Sequence, residues 1–515
     1  MAERVQPISL SNLGGAAVVA LLLVLTLGTL GAVAWRAEEL SALTKNDWSA
    51  VRFTLWQAAV SAVLSAICAI PVARALARRQ FRGRALLLTV LGAPFILPVV
   101  VAVLGLLAVY GRSGIISEML NWAGLEPMSI YGWHGVILAH VFFNLPLATR
   151  LILQGWLAIP AERFRLAQSL GFTSRDMARH LEWPMLREVL PGVMMVIFLI
   201  CTTSFAVALA LGGGPKATTI ELAIYQAFRF DFDLSKAALL GLVQFVICVG
   251  LALASFAISV PPGQGAGLDR VVYRNDGSRV LDGIAIGVVA LFLITPLAMI
   301  VAKGLPGLPE LSVNILSAAW RSVWVAVLSA GLTVVMALSL ALLSLKWGRG
   351  VEAVGYLSVA ASPLVIGTGL FILTYRWVDP VLLALPVTVV VNAAMSLPFT
   401  LRAVSPALRQ VEADYGRLAA SLGLTGWARL RIVVLPRLRR PLGFGAGLAA
   451  ALSMGDLGVI TLFADPNHAT LPLALYNLMT AYRMQEAFAA ALVLLALSLA
   501  LFWLFDRGGR VNADL

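Results

Sequence analysis

Covalent, metal and acid–base chemistry is usually carried by cysteine, histidine and carboxylate side chains, and this sequence offers few of them in useful patterns. Its three cysteines, Cys68, Cys201 and Cys248, all lie inside apolar runs, as small apolar side chains do, and form neither a disulfide framework nor a ligand set. The four histidines, His134, His140, His180 and His468, are scattered with no pair at i, i+4, so no metal site is expected. No cluster of His, Asp and Glu marks a membrane enzyme. A phosphate-cradling Gly-x-x-x-x-Gly-Lys-Ser/Thr loop is absent, and the triple glycine 212–214 reads as a turn. Catalytic residues and bound cofactors are therefore not expected. Ionisable side chains inside apolar runs are few. Asp456 is the clearest, and it either lines a pathway or caps the break between Gly455 and Gly458.

The more informative spacing is mechanical. Two long loops, 157–188 and 403–440, are not disordered in composition. In the first, Pro160 and Glu162 suit the start of a helix. Ala167, Leu170 and Gly171 give that helix a small apolar face, and Gly171 stands where a left-handed C-cap would end it. A second amphipathic segment, 174–183, runs to Pro184. The other loop repeats the pattern with Glu412, Asp414, Ala419, Leu422 and Gly423, then 426–435 and Pro436. A short helix with such a face suits docking into a groove on a partner. It would also suit a helix lying at a membrane interface. Two copies at matched positions favour docking to a two-fold partner.

The elements that hold these loops are membrane spans. Hydrophobic residues make up 60% of the chain and charged residues 12%, about half the share of a soluble domain. Apolar runs long enough to span recur twelve times, at about 14–35, 51–73, 86–109, 134–156, 189–211, 237–260, 281–302, 319–344, 353–375, 381–402, 441–463 and 486–505. They are expected to be helices, because lipid satisfies no backbone polar group. The first is read as a retained helix and not as a cleaved leader. Of the 38 Lys and Arg residues, 27 fall at the termini and in loops 74–85, 157–188, 261–280, 345–352 and 403–440 when the count is taken to the helix ends and so includes Arg150 and Arg402. That bias places those loops and both termini in the cytoplasm. It also accounts for the net charge of +12 without nucleic acid.

The chain also repeats itself. Pro146 and Arg150 match Pro398 and Arg402 at an offset of 252, and Arg165–Gly171 matches Arg417–Gly423 at the same offset. Thr219 and Tyr225 face Thr470 and Tyr476 at 251, and Trp56 faces Trp324 at 268. Both copies set the matched loop on one side, so the repeat is parallel. The expected fold is all-α and polytopic, with about twelve transmembrane helices in two parallel tandem repeats. The expected divisions are 1–49, an N-terminal helix and periplasmic loop; 50–257, the first unit; 258–317, a linker and helix; 318–503, the second unit; and 504–515, a cytoplasmic tail.

Gly171 with Pro184 and Gly423 with Pro436, each pair thirteen apart, resemble the cytoplasmic Glu-Ala-Ala loop of type I ATP-binding-cassette importer permeases. In this chain Arg165 and Arg417 take the glutamate place, Leu166 and Leu418 the first alanine, and Ala167 and Ala419 keep the second. The missing glutamates remove any salt bridge expected from that position. Fused units resemble the ferric-iron and thiamine importers. Leu211–Gln226 with Phe230–Asp233, and Thr470 with Tyr482 and Arg483, look closest to the thiamine/thiamine pyrophosphate permeases. The resemblance implies a multi-pass bacterial inner-membrane channel without enzymatic activity. Two ATPase subunits would dock on its loops and use ATP, and a periplasmic binding protein would deliver the cargo. Asp456, Tyr225 and Tyr476 are candidates for the pathway. Loop 212–236, with Asp231, Asp233 and Phe230, suits either a cationic thiazolium or ordinary interface anchoring. A twelve-helix secondary transporter is the rival outside the family. It would show paired intramembrane charges, whereas the arginines of 74–84 have no acidic partner in sequence reach.

Overall fold

The computed structural model describes residues 10–37, 43–92, 96–212, 214–256, 278–348, 350–463 and 468–510, and among them no strand occurs. The linker expected at 261–280 lies largely outside the described residues. The first half opens with α1 (Leu10–Leu23), which passes through a π-helical turn at Val24–Gly28 into α2 (Thr29–Arg36). Then come α3 (Lys45–Arg78), α4 (Arg84–Val90), α5 (Val99–Tyr110), α6 (Ile115–Trp122) and α7 (Trp133–Ala158). The loop region holds α8 (Ala161–Ser169) and α9 (Ser174–Met177), and α10 (Trp183–Thr202) returns through the bundle. The half ends with α11 (Ala206–Leu211), α12 (Ile220–Arg229) and α13 (Leu234–Phe256). The second half repeats this as α14 (Arg279–Gly304), α15 (Val313–Trp347), α16 (Gly350–Ala360), α17 (Pro363–Thr374), α18 (Pro380–Ser421), α19 (Gly426–Arg429), α20 (Leu435–Met454), α21 (Ile460–Phe463), α22 (Leu471–Thr480) and α23 (Met484–Arg510).

Among the described residues, ten helices are long and apolar enough to cross a membrane, or eleven when the bent pair α16–α17 counts as one. The sequence reading gave twelve. The remaining segment, 441–463, is α20 with α21, and Arg437, Arg439 and Arg440 in its first turns keep α20 out of that class. Several threonine hydroxyls inside the spans bond back to their own helices, as Thr149 Oγ1 does to the Leu145 carbonyl at 2.8 Å. Such bonds satisfy a polar group where no water is available. At the opposite end of the bundle from the 160–184 loop, Thr44 and Asp47 form a capping box at the start of α3, and Lys236 Nζ lies 3.3 Å from Asp47.

The halves are interlocked through their first helices. α1 packs against α15 and α16, and α2 packs against α17 as well as α13. Reciprocally, α14 packs against α3 and α5. Each crossing is closed by a glycine on the opposite half. A Cβ at Gly369 would lie 2.6 Å from the Thr29 carbonyl oxygen, and one at Gly105 would lie 2.8 Å from that of Pro296. Only glycine permits backbones this close. A buried core joins Val18 and Leu22 of α1 and Leu25 of the following π turn to Met336, Leu340, Leu397 and Leu401.

The arginines of 74–84 do have acidic partners, contrary to expectation. Asp282, at the start of α14, bonds Arg78 and accepts from Arg79 Nε at 2.7 Å. Glu182 accepts from Arg74 Nε at 2.8 Å. The sequence hid these pairs because the acids come from about 200 and 100 residues away.

Candidate functional site

The two matched loops fold alike. α8 ends in a Schellman motif: Gly171 N–H donates to the Gln168 carbonyl and Phe172 N–H to the Ala167 carbonyl, both at 3.0 Å. α18 ends the same way, with Gly423 N–H on Ala420 at 3.0 Å and Leu424 N–H on Ala419 at 2.9 Å. Gly171 has φ +71° and Gly423 φ +66°. A Cβ at either would meet nothing within 4 Å, so the left-handed backbone, not crowding, demands glycine there.

The face these helices present differs from the expected one. Ala167 and Ala419 turn inward and are buried, Ala167 beside the buried Phe164. Leu166, Leu170, Leu418 and Leu422 are each more than half exposed. Glu162, Arg165, Asp414 and Arg417 are exposed among them. The outward face is therefore leucine and charge, and the small residues seat the helix on its own bundle.

Both loops differ from expectation at the prolines too. Neither Pro184 nor Pro436 ends a segment. α9 continues into α10 through a π turn at Ala178–Glu182, and α19 continues into α20 through one at Leu430–Val434. In an α-helix each proline ring would strike the carbonyl four residues back, and the wider turn relieves that clash. The halves also differ from each other. Pro160 separates α8 from α7, with Ile159 extended. Glu412 stands at the matched place in α18, which runs unbroken for 42 residues. Glu412 is paired with the buried Arg429, where the first half has Pro160 and the buried Met177.

Half-way along the bundle, α10 and α20 both break at the same repeat position. α10 stops at Thr202 and the chain resumes as α11 at Ala206, while α20 stops at Met454 and α21 starts at Ile460. Asp456 sits in the second break, where its Oδ1 accepts from Gly458 N–H at 3.1 Å. The offset of 252 relates Asp456 to Ser204, Asn392 to His140 and Ser453 to Cys201. The matched acceptors are both used, but from different donors: Asn392 Nδ2 donates to Ser453 Oγ at 3.0 Å, whereas Cys201 Sγ accepts at 3.2 Å from Asn144 Nδ2, one turn on from His140. A cavity of about 200 Å3 opens beside the first break. His140, Phe143, Asn144 and Ser204 line it from the first half, and Leu452 and Gly455 from the second.

At the end of the bundle opposite the loops, the stretch 212–236 is more than a loop. Gly214, at φ +134°, leads into a 3-10 turn at Pro215–Ala217, and α12 follows with Glu221 fully buried. Tyr225 is half-buried, edge-on to Phe205 at 5.3 Å and Phe230 at 5.8 Å, and Tyr476 of α22 is its electrostatic neighbour. Asp233 caps α13 through Lys236 N–H at 2.9 Å, and Asp231 is exposed. The sequence reading missed Phe232 and the conformation of Tyr482. Both are non-glycine residues at positive φ, +54° and +59°, both are more than three-quarters exposed, and each stands two residues before the next helix, α13 or α23. It also missed His140 and Asn392, which extending the 252 offset through the spans would have brought out.

Comparison with known proteins bears on this architecture. The sequence profile of the family described as binding-protein-dependent transport system inner membrane component matches residues 277–508. The chain is 41% identical to the thiamine transport system permease protein of Salmonella typhimurium, over 89% of each chain. It is 39% identical to that of Escherichia coli over the full length of both. It is 35% identical to that of Haemophilus influenzae, over 88% of this chain and 87% of the relative.

Proposed function

Because this chain belongs to the binding-protein-dependent transport system inner membrane components, multi-pass proteins of the inner membrane, we propose that it is the channel of an ATP-driven importer of thiamine or thiamine pyrophosphate. The cargo assignment rests on the similarity to thiamine permeases along nearly the whole chain. The family is one of transport permeases and not of enzymes, and its partners are an ATPase and a binding protein. The pair of Schellman-capped loops carries the mechanical part of the reading. Each would seat one ATPase subunit, two per channel, on the exposed leucines flanked by Arg165 and Arg417. The loops then lie in the cytoplasm with both termini, in keeping with the lysine and arginine bias. The repeated units 50–257 and 318–503 form the two walls.

In this reading Phe232 and Tyr482 mark the periplasmic face that receives the binding protein. Backbone strain that persists in both halves is a device kept for function. Closure of the ATPase dimer draws the two loops together. The interlocked halves move as rigid bodies about the mid-bundle breaks and expose the channel in alternation. A ferric-iron importer of the same architecture is the alternative cargo reading.

The test is uptake of labelled thiamine by cells that lack their own importer, with the chain co-expressed with its ATPase and binding protein. Leu170→Glu plus Leu422→Glu is expected to abolish uptake and release the ATPase while the channel stays folded, because both side chains are exposed. Wild-type uptake by that variant would reject the docking face. Uptake of ferric iron without thiamine would reject the cargo.

A further inference from the structure

His140 sits in α7 with 2% of its surface exposed. Neither ring nitrogen has a hydrogen-bond partner among the described residues. An imidazole carries one donor and one acceptor, and burying both unsatisfied destabilises a fold. An apolar side chain of similar size would hold α7 in place at no such cost. The ring lines the cavity between the halves, where polar groups are few. Asn144 lines the same cavity, with its amide held by the His140 carbonyl at 2.8 Å and by Cys201 Sγ. Ser204 stands in the break of the α10–α11 helix, and Phe143 offers an aromatic side chain.

The geometry points to a cargo subsite in this cavity, in which His140 hydrogen-bonds a heteroaromatic ring of the transported molecule. The inference deepens the proposed function and rests on it. At about 200 Å3 the cavity falls below the ~300 Å3 at which pockets begin to enclose a whole drug-sized ligand. It therefore takes one planar ring and not an entire two-ring vitamin. The lining selects which ring. A neutral ring bearing an exocyclic amine and a ring nitrogen presents a donor and an acceptor side by side. His140 and Asn144 can meet that pair while Phe143 packs against the ring. The thiazolium is the poorer fit, because it brings a permanent positive charge and no donor on the ring to a cavity without a carboxylate among its lining residues. The matched position in the second half does not duplicate the site. There Asn392 already bonds Ser453, and Asp456 is tied to Gly458.

The experiment uses the full chain with its ATPase in nanodiscs without binding protein, so that the channel is the only thiamine site. Equilibrium binding of tritiated thiamine is expected to saturate. His140→Leu is expected to weaken it by about tenfold, the worth of one buried hydrogen bond, and at the same time to raise the Tm of the complex. His140→Gln, which keeps a donor and an acceptor, is expected to fall between. An analogue with benzene in place of the aminopyrimidine is expected to bind the wild type and His140→Leu alike. Unchanged thiamine affinity in His140→Leu, or no saturable binding by a wild-type complex that transports thiamine when its binding protein is added, would overturn the subsite and leave the importer standing. Failure of the wild type to transport thiamine under any condition would overturn both. Should His140→Leu not assemble, wild-type affinity in His140→Gln and equal preference of the wild type for thiamine and the benzene analogue would overturn the subsite.

Discussion

The hydrogen bond that Asp456 makes is one an asparagine could make equally well, since only Oδ1 meets the Gly458 N–H. Oδ1 thus caps a broken helix, as one of the two readings from the sequence has it, while Oδ2 is buried with no hydrogen-bond partner among the described residues. Asp456→Asn is expected to leave thermal stability close to that of the wild type. Asp456→Ala should lower it by about 1 kcal/mol, the usual cost of a lost cap; thermal unfolding of the purified complex measures both. If Asp456→Asn retains stability but loses transport, the charge has a separate role in the pathway. The glycine caps at Gly171 and Gly423 were legible in the sequence, because a left-handed residue after an amphipathic turn leaves glycine nearly alone as a choice. The inward turn of Ala167 and Ala419 was not. A small side chain suits a tight seat on the chain's own bundle as well as it suits a partner's groove, and composition does not say which. His140 was passed over for a similar reason. A single histidine in an apolar run shows nothing of whether its ring nitrogens are satisfied, which depends on residues brought from α10 and α20.

At the scale of elements, eleven of the twelve apolar runs could be read as spans because the demand for internal backbone bonding leaves helix as the single option in lipid. Their interruptions were legible only in part. Gly455, Asp456 and Gly458 marked the break after Met454, whereas the break after Thr202, at Thr203 and Ser204, was not read. The π turns before Pro184 and Pro436 let helices run through residues that ordinarily end them. The crossings at Gly105 and Gly369 are likewise invisible without the partner half. Each is a point where a methyl group would strike a backbone carbonyl at under 3 Å. Gly105→Ala and Gly369→Ala are each expected to lower stability by about 1–3 kcal/mol, the range for overpacking a tight contact. Gly250→Ala, at a position with nothing within 4 Å, is the control and should change little. Equal unfolding temperatures for all three would show that the crossings loosen without cost.

For the molecule as a whole, the exchange of first helices means that neither half is complete alone. Asp282 of the second half, in the first turn of α14, is tied to Arg78 and Arg79 of the first. Co-expressed as separate chains, 1–260 and 261–515 are expected to copurify through a tag on either one, and Asp282→Asn is expected to weaken that association by about 1.5–3 kcal/mol, the range for hydrogen bonds to a charged group, by removing the charge that faces Arg78 and Arg79. Halves that elute separately would reject the interlock. The same crossing has a consequence for biogenesis. α1 and α2 emerge first from the ribosome, yet the surfaces they pack against, α15 and α17, begin at Val313 and Pro363. At roughly 5–20 residues per second, translation keeps the first helix in the bilayer for some tens of seconds before its partners exist. Through that interval the polar edges of an unpaired span are open to quality-control proteases and to neighbouring nascent chains. The interlock that joins the two halves thus also acts as a completion check, which a truncated chain fails.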